Sequence, residues 1–250
     1  MGKFRHALAA LEQARSIGDT TDNPRLQSVA AWLSGWIHAV QGDGDTGMAL
    51  CKRGLELSPD PLNTAGALAY TGAAYLELGD AAQALPLLEQ SIQHWQQFRF
   101  PQLQGWFTAL LGEAYLLQGD VKKAQELAHQ GLSITQEATF AYGVGVAQRA
   151  LGRALLADGT FAEAETYLKD ALQTFMSMKA RFEVGRTHVV LAELAHAQTH
   201  QAATVQHLTE AHNLFRVLHV SPYVERVIQH ATVFGLSLMK EADTCVQHCK

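Results

Sequence analysis

A forty-residue period is the strongest constraint on what this chain can fold into. The stretch 69–95, AYTGAAYLELGDAAQALPLLEQSIQHW, carries Gly72 and Tyr75 three apart, then the pair Gly79-Asp80, then Ala84, Leu88 and Ser91 at spacings of four and three. Those spacings place each set on one face of a helix, with the Gly-Asp pair as the turn between two helices. The same marks return forty residues later as Gly112, Tyr115, Gly119-Asp120, Ala124, Ala128 and Gly131. They return again as Gly152, Leu155, Gly159, Ala164, Leu168 and Ala171, and in a weaker copy as Ala192, Ala195, Thr204, Leu208 and Ala211. A helical hairpin cannot bury its apolar face alone, so hairpins repeating at a fixed period must stack on their neighbours. An all-α solenoid is the fold class this predicts.

The register sets the elements. Residues 3–17 match the turn and second helix of a hairpin whose first helix is missing, so the chain is expected to be cut from a longer protein; the alternative is that they form a native N-terminal cap. Asp22-Asn23-Pro24 starts a helix to about Gln41, because an Asx cap followed by Pro in the first turn suits a helix start. Residues 45–57 supply its partner, and this first copy is 37 residues long, from Gly35 to Gly72. Further hairpins are expected over 61–97, 101–137, 140–178 and 181–218. Ser221-Pro222 opens a capping helix to about Met239. The chain is read as one repeat domain over 1–240, with a tail at 241–250. The small residues Gly72, Gly112, Gly152 and Ala192 face Ala84, Ala124 and Ala164 where the two helices of a hairpin cross. Leu88, Leu168, Leu208, Phe175 and Phe215 fill the wider spaces between layers.

Several function classes fall away on composition and motif. With 19 Lys and Arg against 24 Asp and Glu, the net charge is −5 and the basic residues are scattered, so nucleic acid is not an expected partner. No run of 18 apolar residues occurs and the start has no signal-peptide core, so neither a membrane nor export is expected and a cytoplasmic location follows. Gly42-Asp-Gly44-Asp-Thr-Gly47 matches G-x-G-x-x-G as a string, but a helix precedes it where a dinucleotide site needs a strand. Read as a calcium loop it fails too, because its twelfth position is Gly54 instead of a bidentate Glu. Cys245, His248 and Cys249 make an incomplete metal set on a tail, and His196 with His200 reads as a polar turn. No nucleophile elbow, Walker loop or zinc-protease helix is present. No catalytic residue, cofactor or metal is expected.

These repeat residues resemble the tetratricopeptide repeat family, whose pattern places Gly and Tyr on the first helix and Ala on the second. The resemblance covers about residues 2–218. It departs in two ways: the first-helix Trp is replaced by Leu68, Thr108, Gln148 and His188, and the period is 40 instead of 34. Long helices, connections containing Phe100, Phe140 and Phe182, and the run ARFEVGRTHVVLAELAHA from Ala180 look like the C-terminal repeats of large bacterial signalling ATPases and of ATPase-type transcription regulators and cyclases.

The resemblance implies a right-handed superhelix whose concave face is lined by the first helices. Carried onto this chain, that face holds Trp32, Trp36, Trp106, Glu113, Arg149, Arg153, Arg186 and Glu193. Aromatic and Arg side chains are the types that anchor partners. The alternative reading buries Trp32 and Trp36 between helices and pairs the arginines with Glu113 and Glu193. The Lys and Asn clamp by which some family members hold a peptide carboxylate has no counterpart here. The implied function is a non-catalytic interaction scaffold that binds a protein or peptide segment, or another domain of its parent chain, in the groove. A sensor domain that binds a small effector and regulates an attached ATPase is the alternative, and the two differ in whether the groove is open or enclosed.

Overall fold

The computed structural model describes residues 3–237 and consists of twelve helices. They are α1 (Phe4–Thr20), α2 (Pro24–Val40), α3 (Gly44–Glu56), α4 (Pro61–Glu77), α5 (Ala81–Gln97) and α6 (Pro101–Leu117), followed by α7 (Val121–Glu137), α8 (Ala141–Ala157), α9 (Phe161–Ser177), α10 (Arg181–Ala197), α11 (Gln201–Leu218) and α12 (Ser221–Val233). Among the described residues there is no strand, and no helix is long and apolar enough to cross a membrane. Five hairpins, α2–α3 to α10–α11, follow the expected register within a residue or two at each end. Cys245, His248 and Cys249 lie outside the described residues.

Each turn inside a hairpin stops one helix and starts the next in two residues. Gly79 takes φ 80°, a left-handed conformation that glycine adopts without strain, and the amides of Gly79 and Asp80 bond back to Leu76 and Tyr75. The Asp80 side chain then accepts the amide of Gln83, satisfying one orphan donor of α5. Gly42-Asp43 and Gly119-Asp120 do the same, so the G-x-G-x-x-G string is a turn and a cap. In the last hairpin Thr199 carries φ 60° and His200 offers no side-chain cap.

Close helix crossing explains the small residues. A Cβ on Gly152 would sit 2.6 Å from Leu168 Cγ, and one on Gly112 would sit 3.0 Å from the Ala124 carbonyl oxygen. Leu88, Leu168, Leu208, Phe175 and Phe215 are fully buried between layers, each contributing about 1.5–3 kcal/mol by transfer from water.

The capping helix is shorter than expected: it ends at Val233, not near Met239. Gly235 turns left-handed at φ 67°, and the Gly235 and Leu236 amides close onto Thr232 and Ala231, which terminates the helix.

The ends of the array meet. Phe4 of α1 packs edge-on against Phe182 of α10 at 5.2 Å, and Phe182 lies 4.9 Å from Tyr223 of α12. These rings share one buried cluster with Ile37, Val40, Phe215 and Val227, so the inner end of α1 is covered by the last hairpin and α12. Pro222 of α12 abuts Gly42, where a Cβ would lie 2.5 Å from the proline Cγ. The first helices α2, α4, α6, α8 and α10 therefore face an interior that α12 helps to enclose.

Candidate ligand-binding cavity

The interior begins with an aromatic ladder. Trp36, Tyr70, Trp106 and Tyr142, one from each of four successive first helices, follow one another at ring separations of 5.7, 5.8 and 5.1 Å. Trp106 also stacks on Phe107 at 4.6 Å, which holds its plane against the layer behind.

Beside the ladder runs a chain of buried charges. Glu113 of α6 and Arg153 of α8 occupy equivalent repeat positions and pair at 2.8 Å. One turn earlier on α8, on the same face, Arg149 reaches Glu183 of α10 at 2.5 Å, and both side chains are almost wholly buried. Tyr142 donates its hydroxyl to Glu183 at 3.1 Å. Arg186 lies 3.9 Å from Glu183 and 3.2 Å from Glu77 at the end of α4. From α12, Tyr223 donates its hydroxyl to Glu77, while Arg226 binds the Glu77 carbonyl at 2.6 Å.

Glu113 and Glu183 keep their charges. Burial opposes ionisation of Glu113, but the guanidiniums of Arg153, Arg149 and Arg186 outweigh it and hold the carboxyl below its ordinary range. Burial likewise opposes ionisation of Glu183, where Arg149 and Arg186 prevail. Burial raises Tyr142 well above its ordinary value, with Glu183 adding to the effect, so Tyr142 stays a neutral donor.

Ladder and charges line a partly open cavity of about 350 Å3, a volume in the range of small-molecule sites. The exposed residues of its lining, Leu78, Gly79, Leu117 and Arg226, mark its mouth. Four guanidiniums (Arg149, Arg153, Arg186 and Arg226) face three carboxylates (Glu77, Glu113 and Glu183) around it, a surplus of one positive charge. Two of the buried atoms have no hydrogen-bond partner: Nη2 of Arg149 and Oε1 of Glu113. Trp36, Tyr142 and Glu183 also border a second, apolar chamber of about 440 Å3 between α1, α2 and α10.

Of the concave-face residues expected from the sequence, Trp36, Trp106, Glu113, Arg149, Arg153 and Arg186 line this cavity. Trp32 does not: it is buried between α2 and α4, stacked on the back of Tyr70 at 4.6 Å. Glu193 does not either, since it points to His230 of α12 at 3.4 Å. The three arginines are not free to meet an acidic partner unaided, because each already faces a carboxylate of the chain. Sequence reasoning missed Tyr70, Tyr142, Glu77, Glu183, Tyr223 and Arg226. An opposite-charge pair forty residues apart, Glu113 and Arg153, was a usable signal for part of the wall. His196, read as part of a polar turn, stacks on Phe234 at 3.9 Å.

Family models described as tetratricopeptide repeat match residues 65–90 and 104–177. No curated protein matches the sequence. Among solved structures, the aspartyl phosphate phosphatase F of Bacillus subtilis superposes with a TM-score of 0.60 at 9% identity, over 87% of this chain and 59% of that one. The chain thus spans less than two thirds of that protein's length. A Rap protein complexed with competence and sporulation factor superposes with a TM-score of 0.71 at 11% identity, over 92% of this chain and 70% of that one. A signal transduction ATPase with numerous domains and a tetratricopeptide repeat sensor, from Pyrococcus horikoshii, gives 0.60 at 16% identity, over 88% of this chain and 34% of that one. At such identities the likeness is one of fold.

Proposed function

From the tetratricopeptide repeat matches over 65–90 and 104–177 and the repeat fold, we propose that the chain is a non-catalytic binding module of a larger cytoplasmic regulatory protein, with its ligand held in the inner cavity. One observation carries this reading: the array curls back on itself, through Glu77, Arg186, Tyr223 and Phe4, around a recess of about 350 Å3 lined mostly by buried and half-buried side chains. An extended protein segment needs a long open channel, whereas a recess of this size suits a small effector. The relation of fold to the repeat sensor of a signal transduction ATPase supports a sensor role, with the closing helix α12 as the element that registers occupancy.

A second reading, an interaction scaffold for a protein segment, is favoured by the mouth of the cavity. Leu78 and Leu117 stand there 41% and 49% exposed, apolar surface a docked segment could cover. The nucleic-acid and membrane readings draw no support from a net charge of −5 and scattered basic residues.

The test fills the chamber. Ala73 lines it and is nearly buried, so Ala73→Phe occupies its volume. A library of small metabolites is screened by thermal shift against the unaltered chain and the variant. Compounds that raise the melting temperature of the first and lose that effect on the second support the sensor reading. Equal shifts on both, or none on either while a defined peptide binds across Leu78 and Leu117, would replace it with the scaffold.

A further inference from the structure

The buried wall leaves one donor and one acceptor without partners, and together with its surplus charge they describe a ligand. Arg149 is almost wholly inaccessible, and its Nη1 is taken by Glu183 while Nη2 bonds to nothing. Glu113 is also buried, with Oε2 taken by Arg153 and Oε1 unpartnered. Both side chains line the same cavity. A buried polar atom without a partner is costly, so a pair of opposite hydrogen-bonding sense beside one chamber is a site built for a molecule that supplies both complements.

Charge narrows the choice. Four guanidiniums against three carboxylates leave one positive charge on the lining, on the side of the exposed Arg226 and the partly exposed Arg153, and a ligand with one negative charge complements it there. A neutral sugar would answer the hydrogen bonds but leave the charge, and a zwitterion would leave it too. The aromatic ladder of Trp36, Trp106 and Tyr142 offers ring faces and edges to a flat apolar body.

Resting on the sensor reading above, we infer that the cavity takes a small monocarboxylate bearing an uncharged O–H or N–H donor next to its acid group, on a flat apolar body. Both atoms are closed to solvent, so on binding the two side chains turn toward the cavity, the carboxylate accepting from Arg149 Nη2 and the donor being received by Glu113 Oε1. The exposed part of Arg153, 28% accessible, adds a second cation to the acid group from the side of the mouth.

Isothermal titration of the full chain with four probes of one shape tests this: 3-phenyllactate, 3-phenylpropionate without the hydroxyl, the methyl ester of phenyllactate without the charge, and phenylalanine as the zwitterion. Phenyllactate is expected to bind best, with each of the others weaker by about tenfold or more, the effect of one unmade buried hydrogen bond. Arg149→Lys keeps a cation against Glu183 but removes Nη2, and is expected to erase the preference for acid over ester. Glu113→Leu is expected to erase the preference for hydroxyl over hydrogen, with the helical dichroism of both variants unchanged. If the ester or phenylpropionate binds as tightly as phenyllactate in a manner blocked by Ala73→Phe, the ligand class is wrong while the sensor reading stands. If none of the four binds and a peptide ending in phenylalanine does, both are overturned. Acetylphenylalanine, with an amide N–H beside its carboxylate, is expected to bind as phenyllactate does and at least as tightly as that longer peptide; tighter binding of the peptide would overturn the free small ligand in favour of a chain terminus.

Discussion

At the scale of single residues, burial decides which charges matter. Arg149→Met leaves Glu183 without its closest cation, and removing one partner of a buried pair costs about 3–5 kcal/mol. Arg53→Met, which breaks an exposed pair with Glu56, should change stability by no more than about 1 kcal/mol. Urea midpoints of the two variants measure the contrast. A second residue-scale prediction concerns pH. His188 and His207 meet Nδ1 to Nδ1 at 3.0 Å between α10 and α11, and burial, with His207 adding, pulls His188 from 6.5 down to about 4. A group whose folded pKa is depressed contributes stability that is present above its unfolded value and lost as pH falls toward the folded one. Stability should therefore drop between about pH 6.5 and 4, and His188→Leu should flatten much of that drop in melting curves. Glu113 and Glu183 act in the same direction below their ordinary value of 4.5. The sequence could mark Glu113 and Arg153 as neighbours, because they share a repeat position. It could not mark Glu77 and Arg186, which belong to distant repeats and meet only when the array curves round.

At the scale of elements, the helices were legible because the small-residue period, the Gly-Asp turns and the Asn-Pro and Phe-Pro starts all agree. The aromatic ladder was not, and the reason is geometric. Tyr70, Trp106 and Tyr142 are 36 residues apart, four fewer than the period, so each contact moves back one helical turn along the next first helix. A register copied straight across repeats misses that drift, which is how Trp32 and Glu193 came to be expected on the inner face. Two local misfits give predictions. Pro86 sits inside α5 on an exposed face, where it withholds a backbone donor. Pro86→Ala should raise stability by about 1–3 kcal/mol in urea unfolding, up to the full interior-proline penalty. Thr199 is β-branched at φ 60° in the turn where other repeats have glycine. The double change Thr199→Gly with His200→Asp restores the turn and the cap, and a gain of about 1–2 kcal/mol should follow, read as a higher melting temperature.

For the whole molecule, α12 is the piece that makes an array into an enclosure. Tyr223→Phe removes only the hydroxyl given to the buried Glu77, and should cost about 1–3 kcal/mol with no change in overall dimensions. Tyr223→Ala combined with Arg226→Ala removes the ring packed between Phe182 and Phe215 as well as both ties to Glu77, so the ends should part. Small-angle scattering would record that as a larger radius of gyration. The closure also changes how the chain should come apart. In an open array each repeat feels only its neighbours, so terminal hairpins unzip first and amide exchange grades smoothly from the ends to the middle. Here α1 also meets α10, through Phe4 and Phe182, and α12 reaches back to α4 across the 146 residues of chain between Glu77 and Tyr223. An array with no free end has no cheap place to begin unravelling, so protection from exchange should be nearly level from α2 to α11 and should collapse everywhere at once.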